Sequence, residues 1–452
     1  MMKTLDQIGA ELQGYDPQAL SAADVLGFLD QLVTPLSARA DMEVLPLFEA
    51  LGRVLAEDVV SPVNVPPHDN SAMDGYAFDG AALQAGLALR LHCVGTALAG
   101  KAWEGHVAAG QCVKIMTGAV MPAGLNTVVP QELVAAAGND ISVPAGALSL
   151  GDNRRHCGED LALGQTALHK GELVTPARLG LAASLGLPTL RCFRLLRVAY
   201  FSTGDEILSL GEAPREGAVY DSNRFTVFAL LKRLGCHVID LGVVRDEPAL
   251  LEAAFRSAAA QADAIITSGG VSVGEADHTK AMMKKLGDVA FWRIAMRPGR
   301  PMAVGRLHLP VFNAESPSSP GVYCLDSYEN NSKSKPAVLF GLPGNPVAVM
   351  VTFLAFVRPA LLRMMGATAT APVLLKARCA EAIRKKSGRT EYQRGWVDTA
   401  PDGSLRVRTT GSQGSGVLRS MAEANGLIVL HHTQGHVALG DAVDVLMFDG
   451  VM

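Results

Sequence analysis

The stretch Ala264-Ile-Ile-Thr-Ser-Gly-Gly-Val-Ser-Val-Gly-Glu-Ala-Asp277 decides how this chain is read. Four apolar or β-branched residues form a short strand, Ser268-Gly-Gly breaks it, and a helical pattern resumes at 279–286. Working outward, residues 196–201 are a continuous apolar run, the mark of a buried parallel strand. Residues 223–234 read as an amphipathic helix with Phe225, Phe228, Leu231 and Leu234 as its apolar face and Gly235 as its stop. Strands at 237–244 and 337–340 alternate with helices at 248–260 and 347–365. The pattern predicts a three-layer α/β domain with a largely parallel sheet, over 188–368.

The flanks differ. Residues 61–163 are short β-type runs among Gly, Pro and Asn, which predicts an inserted β module. The pieces 22–60 and 164–187 read as one helical linker body split by that insertion. Its start carries Ser21-Ala-Ala-Asp24, a capping box with Asp in the acidic place. Residues 369–452 predict a C-terminal β domain, and the polar stretch 313–336 an exposed insertion.

Composition narrows the class. With 452 residues, 49% hydrophobic and 19% charged, the chain is a multidomain globular protein rather than a disordered or fibrous one. Lys plus Arg is 40 against 44 for Asp plus Glu, so no basic excess calls for nucleic acid or an anionic membrane. No apolar run reaches the ~18 residues of a spanning helix, because Arg358 interrupts the longest. The seven cysteines form no C-x-x-C pair, which fits a reducing, cytoplasmic setting.

The chemistry lies at strand ends, where open α/β sheets bind ligands. Ser268, Gly269, Gly270 and Ser272 offer backbone N–H groups and hydroxyls to an oxyanion, and a plain tight turn would show the same glycines. Ser202-Thr-Gly-Asp-Glu206 ends another strand. Asp205, Glu206, Glu275 and Asp277 then stand beside a phosphate site, which calls for a bridging cation such as Mg²⁺. For Asp205 and Glu275 the helix dipole explains the acid equally well. Arg297-Pro-Gly-Arg300 holds two guanidinium forks on a rigid turn, suited to tetrahedral oxyanions such as phosphate or molybdate. Gly341-Leu-Pro-Gly-Asn-Pro346 opens a helix whose N-terminus also attracts anions. The polar strings from Pro66 to Phe78 and from Gly151 to Asp160 have no assignment on physics alone.

Together the strings PPHDNSAMDGYAF, KIMTGAVMPAG, VVPQE, NRRHCGEDL, FSTGDE, VYDSNR, TSGGVSVGEADHTK, RPGRP, GLPGNPVAV, EYQRG and TTGSQGSG resemble the molybdopterin molybdenumtransferase family (MoeA type) and the gephyrin E domain, over residues 26–445. The resemblance implies insertion of molybdate into adenylylated molybdopterin with AMP release, aided by Mg²⁺, in a cytoplasmic homodimer. It implies catalytic roles for Asp74, Thr117, Glu206, Asp246 and Asp277, with Glu206 and Asp277 on the metal. It implies substrate contacts for Asp160, Pro343 and Pro346, and molybdate contacts for Arg394 and Ser415. Arg293, Arg297 and Arg300 stand where the family often has Lys. Implied partners are the adenylyltransferase that supplies the substrate and the apo-molybdoenzymes that receive the product. An adenylyltransferase activity, a scaffold role and tungstate in place of molybdate are the alternatives. The β domains favour insertion over adenylyl transfer, and the acids Asp74, Glu206 and Asp277 argue against a scaffold.

Overall fold

The computed structural model describes residues 3–12, 15–271, 278–307, 335–368 and 371–452. Ser272, Glu275, Asp277 and most of the 313–336 stretch lie outside the described residues. The chain divides into two compact units: residues 44–192, and residues 1–43 with 193–452.

The larger unit holds the α/β sheet. Its strands are β1 (Arg197–Thr203), β2 (His237–Val244), β3 (Ala264–Ser268), β4 (Gly287–Arg293), β5 (Pro301–Leu307) and β6 (Ala337–Leu342). They line up as β2-β1-β3-β6-β5-β4. The first four are parallel, and β5 and β4 complete the sheet as an antiparallel pair. The expectation of a largely parallel sheet therefore holds for four strands of six.

Helices α1 (Ser222–Arg233), α2 (Pro248–Gln261), α3 (His278–Leu286) and α4 (Pro346–Thr352) cover the sheet. On one face Leu251, Phe255, Met282 and Met283 pack on Ala199, Phe201, Ile265 and Leu339. Phe201 and Phe255 meet edge to face at 5.0 Å. In α1 the buried side chains are Asn223, Val227, Leu230 and Leu231, while Phe225 and Phe228 are exposed. The predicted helix is present but its inner face is rotated. A 3.6-residue period identifies an apolar stripe and does not say which edge of it is covered. The helix from Pro346 continues past Arg358 to Met364 through a π segment, Phe353–Val357. At 19 residues it is long and apolar enough to cross a membrane, yet its most apolar window is 78% buried inside the protein. Arg358 ends the apolar run without ending the helix.

The Ser21 capping box is present. Ser21 Oγ accepts from Asp24 N (3.2 Å), and Asp24 accepts from Ser21 N (3.0 Å). The helix it starts, Ala22–Leu32, belongs to the larger unit, where Phe28 packs edge to face on Trp292. A C-terminal barrel closes within the same unit, because Thr390–Thr399 pairs with both Leu405–Thr409 and Gly426–Leu430. Met296–Arg297 adds a short parallel pairing to Thr390–Glu391.

Arg194 ties the sheet edge together. It forks onto Asp263 (2.7 and 2.8 Å) and reaches Asp41 through Nε (2.8 Å). Burial pushes the Asp263 carboxyl up, but the bonds from Arg194 and the Arg197 amide more than reverse it, so it titrates below its ordinary range. A carboxyl depressed in this way stabilises the fold above its unfolded pKa and loses that contribution as pH falls through its folded one. Asp263→Asn is expected to cost about 2 kcal/mol at pH 7, the scale of a charged hydrogen bond. Urea unfolding at neutral and acid pH should show the deficit shrink on acidification.

In the smaller unit a six-stranded sheet contains Gly75–Phe78, Leu89–Ala97, Gln111–Ile115, Thr127–Pro130, Ala135–Ala137 and Asp140–Val143. Residues 44–60 are not helical beyond one 3-10 turn, Leu47–Glu49, and they include the strand Val59–Val60. Their apolar residues Ala50, Leu55 and Val59 bury against Leu168, Val174, Ala182 and Leu190. Residues 50–59 and 168–192 thus share a core, and only Pro176–Ser184 within it is an α-helix.

Candidate active site

In the larger unit the loops singled out in the sequence gather at the carboxyl ends of β1, β3 and β6. Ser268 ends β3, and Gly269 and Gly270 turn away with φ of 92° and 65°. Both must be glycine. A Cβ on Gly269 would lie 2.3 Å from the Thr203 carbonyl oxygen, and one on Gly270 would lie 2.5 Å from Thr279 Cβ. Gly269 N donates to Leu342 O (3.2 Å), joining this loop to the one after β6. The Gly270 and Val271 amides have no partner among the described residues, so they are available to a ligand.

The β6 loop runs through Pro343 to Pro346, which occupies the first turn of α4 behind the cap residue Asn345. Asn223, in the first turn of α1, donates from Nδ2 to Gly344 O (2.7 Å). Val347 N donates to Ser415 O (3.1 Å), which pins the Thr410–Val417 loop to the same helix start. Four sequence motifs, far apart in the chain, are joined by these few bonds.

The acids of this end stand as follows. Glu206 is exposed and folds over Gly204. Asp246 N donates to Asp205 Oδ1 (3.3 Å), and Thr279 Oγ1 donates to Asp246 Oδ1 (3.3 Å). Asp246 is thereby held against the residue that flanks Gly270. Among the described residues no three His, Cys, Asp or Glu side chains converge as a metal site would require.

The cations are arranged differently. Arg293, Arg297 and Arg300 are exposed, and no ion pair holds any of them among the described residues. Arg394 is fully buried. Its Nε donates to Ser420 Oγ (2.9 Å), and its Nη2 donates to the carbonyls of Ser412 (3.1 Å) and Gly414 (3.0 Å). No carboxylate pairs with it among the described residues. Burial, with the charge of Arg297 adding, pulls the Arg394 guanidinium down to about 10. It stays charged at neutral pH, buried and without a counter-ion.

In the smaller unit the two strings without a physical assignment lie together. Asn70–Ser71 pairs with Arg154–Arg155 as a short antiparallel ladder. Asp69 accepts from Cys157 N (2.7 Å) and from the Arg154 guanidinium, and Asp160 N donates to Val65 O (3.1 Å). Asp69 is thus a structural clasp, while the Asp160 side chain is exposed. Asp74 and Thr117 meet directly. The Thr117 amide and hydroxyl both donate to Asp74 Oδ1, at 2.6 and 2.7 Å. These bonds, the amide's first, hold the Asp74 carboxyl below its usual range. Thr117→Val is expected to move the Asp74 titration part of the way back up, read by carboxyl-carbon NMR, while Thr117→Ser leaves it in place.

Comparison with known proteins decides the family. Residues 20–186 match the MoeA N-terminal region (domain I and II), 199–363 a probable molybdopterin binding domain, and 376–448 the MoeA C-terminal region (domain IV). A molybdopterin molybdenumtransferase of Haemophilus influenzae is 39% identical over 425 residues, covering 94% of this chain and 97% of the relative. The chain belongs to the molybdopterin molybdenumtransferase family. Family members are transferases of molybdenum cofactor biosynthesis. A Nostoc enzyme of the same description is 34% identical over 447 residues, covering 96% of this chain and 95% of the relative. Gephyrin of Dictyostelium discoideum is 28% identical, over 90% of this chain and 59% of gephyrin. A crystal structure of the MoeA protein from Pyrococcus horikoshii superposes with a TM-score of 0.75 at 24% identity, over 95% of this chain and all of that one. That likeness carries the fold.

Sequence reading gave several residues of this site no role. Asn223, Thr279 and Gln413 were visible only as members of the VYDSNR, TSGGVSVGEADHTK and TTGSQGSG strings, and Ser420 carried no local signal. Arg394 was visible through the resemblance, but its burial and its three bonds come from the fold.

Proposed function

We propose that this chain inserts molybdate into adenylylated molybdopterin and releases AMP. The observation that carries the reading is Arg394: a buried guanidinium with no carboxylate partner among the described residues, beside a second cation at Arg297. A fixed buried positive charge with a second cation near it favours a bound dianion, which supplies the missing counter-charge. Molybdate is the tetrahedral dianion the family handles, and tungstate has the same charge and shape. Ser415, tied to α4 through its carbonyl, offers its hydroxyl at the same loop.

In this reading the loop Ser268–Val271, through its free amides, and the start of α4 receive the substrate phosphate. Asp246 and Glu206 are acids at that loop, and Asp74, positioned by Thr117, serves the cleft of the partner subunit in a homodimer, so that the cleft is shared between subunits. Mg²⁺ belongs to the proposal as a counter-charge between the phosphate and the acids Glu206 and Asp277. A homodimer, a cytoplasmic location, supply by an adenylyltransferase and delivery to apo-molybdoenzymes complete it.

The test is incubation of the purified protein with adenylylated molybdopterin, Mg²⁺ and molybdate. The expected result is molybdate-dependent AMP release and a product that activates an apo-molybdoenzyme. AMP release that ignores molybdate would sink the insertion step. The shared-cleft part has its own check. Mixed dimers of Asp74→Asn and Asp277→Asn subunits should regain activity, and dead mixed dimers would show that each subunit works alone.

A further inference from the structure

Tyr200 lies in the middle of β1, 1% exposed, and its phenol oxygen has two hydroxyl neighbours. One is Ser268 Oγ at 2.6 Å, the other Ser202 Oγ at 2.9 Å. The two serines are 3.3 Å apart, the longest side of the triangle. Ser202 and Ser268 face each other in the parallel β1–β3 register, and Ser268 is the last strand residue before the Gly269–Gly270 turn. An apolar strand carrying one tyrosine here has a specific consequence for the loop that follows.

Each hydroxyl has one proton to give. A phenol is a stronger acid than an aliphatic hydroxyl, so the shortest contact is the one it donates into. Burial chiefly, with the charges of Asp221 and Asp240 adding, raises the Tyr200 phenol, so it keeps its proton throughout the working range. Tyr200 O–H then donates to Ser268, and Ser202 donates to Tyr200. With Tyr200 donating into it, Ser268 keeps its own proton to give, and its one acceptor in the triangle, Ser202 Oγ at 3.3 Å, is a long contact that a ligand oxyanion outcompetes. That polarity is the one an oxyanion requires.

We propose that Tyr200 is a positioning residue: it fixes Ser268 as a hydrogen-bond donor toward the substrate phosphate. The inference rests on the reading of the Ser268–Val271 loop as the phosphate cradle. Tyr200 itself touches no substrate. Its effect passes through Ser268, so the two residues should behave as one unit in a double-mutant cycle.

The experiment measures KM for adenylylated molybdopterin, kcat for AMP release and thermal stability in Tyr200→Phe, Ser268→Ala and the double variant. Tyr200→Phe removes one oxygen and keeps the ring that fills the core. Its expected result is a KM raised roughly tenfold, the effect of one hydrogen bond. The molybdate requirement should not move. Ser268→Ala should raise KM at least as much, and the double variant should be no worse than Ser268→Ala alone. If Ser268→Ala raises KM while Tyr200→Phe leaves it unchanged, or the two effects simply multiply, the positioning role is overturned and the cradle stands. If Ser268→Ala leaves KM unchanged, the cradle itself is wrong and the proposal falls with it. A second arm does not depend on how Tyr200→Phe folds. Incorporating 3-fluorotyrosine at position 200 strengthens the donor without changing its shape, and it should lower KM. An unchanged or raised KM in that protein contradicts the assigned polarity.

Discussion

Replacing Arg394 with alanine is expected to lower both stability and molybdate use, and by more than any other change at the cation cluster. The side chain fills a closed space and satisfies Ser420 Oγ and the carbonyls of Ser412 and Gly414. Its backbone is bound to the same loop, through Gln413 Oε1 to its N–H (2.8 Å) and Thr410 N to its carbonyl (3.0 Å). Alanine leaves the part-buried carbonyls of Ser412 and Gly414 and the buried Ser420 Oγ without the guanidinium's bonds, and a cavity where it lay. Each orphaned group costs about 1–3 kcal/mol, so a total loss of about 3–5 kcal/mol follows. The energetic sign is not obvious in advance, because removing an uncompensated buried charge returns some of that cost. The emptied cavity and the Ser420 oxygen decide it, since Ser420 is buried.

The loop should also lose its hold on Ser415. We therefore expect the molybdate concentration for half-maximal AMP release to rise roughly ten- to hundredfold, the equivalent of one or two charged hydrogen bonds. Binding of adenylylated molybdopterin should change little. Ser415→Ala separates the two roles, because it touches no loop bond made by its own side chain. It should weaken molybdate use with no loss of stability. Hydrogen exchange at the Val347 amide, which donates to Ser415 O, reports on the loop itself. Fast exchange in Arg394→Ala and slow exchange in Ser415→Ala is the expected pair. Slow exchange in both, with molybdate use still lost in Arg394→Ala, would show that the guanidinium acts on the anion alone and that the loop holds without it.

The sequence made some of this legible and hid the rest for physical reasons. Strand ends followed by Gly, Pro and Ser were readable because backbone conformation is written into those residue types. The Ser21 cap was readable because both partners sit within three residues. Side-chain roles set by distant partners were not. Arg297 read as an oxyanion fork on a rigid turn and Arg394 as a molybdate contact through the resemblance alone, and nothing local told that the first is exposed and the second buried. Tyr200 read as one more apolar strand residue, since its partner Ser268 is 68 positions away and meets it through the parallel register. Phe225 and Phe228 were assigned inward because they are large and apolar, while the smaller Val227 and Leu230 take that face. Residues 44–60 were read as helix from composition, yet their apolar side chains serve a core shared with residues more than a hundred positions on. Asp69 was uninterpretable alone, and its partners Arg154 and Cys157 lie 85 and 88 positions away.

Gly269 to alanine is expected to abolish most turnover while the protein stays folded. Two costs apply, and they act at different places. The first is backbone: φ of 92° is a conformation that L side chains rarely adopt, worth about 1–2 kcal/mol against alanine. The second is steric. The new Cβ would sit 2.3 Å from the Thr203 carbonyl oxygen and 3.0 Å from Thr203 Oγ1. Thr203 cannot yield easily, because β1 is locked between β2 and β3 in the sheet. The Gly-rich loop must move instead, carrying the Gly270 and Val271 amides away from where a phosphate would sit. Losing an oriented backbone donor in such a site lowers kcat by roughly a hundred- to a thousandfold. Gly388→Ala serves as the control, since its φ is 86° and a Cβ there meets nothing within 4 Å. It carries the same backbone strain without the collision, so it should lose about 1 kcal/mol of stability and keep its AMP release. Circular dichroism melting and AMP release on the two variants tell strain from displacement. Near wild-type turnover in Gly269→Ala would mean that the loop does not cradle the substrate, since no alanine at this position leaves its amides in place.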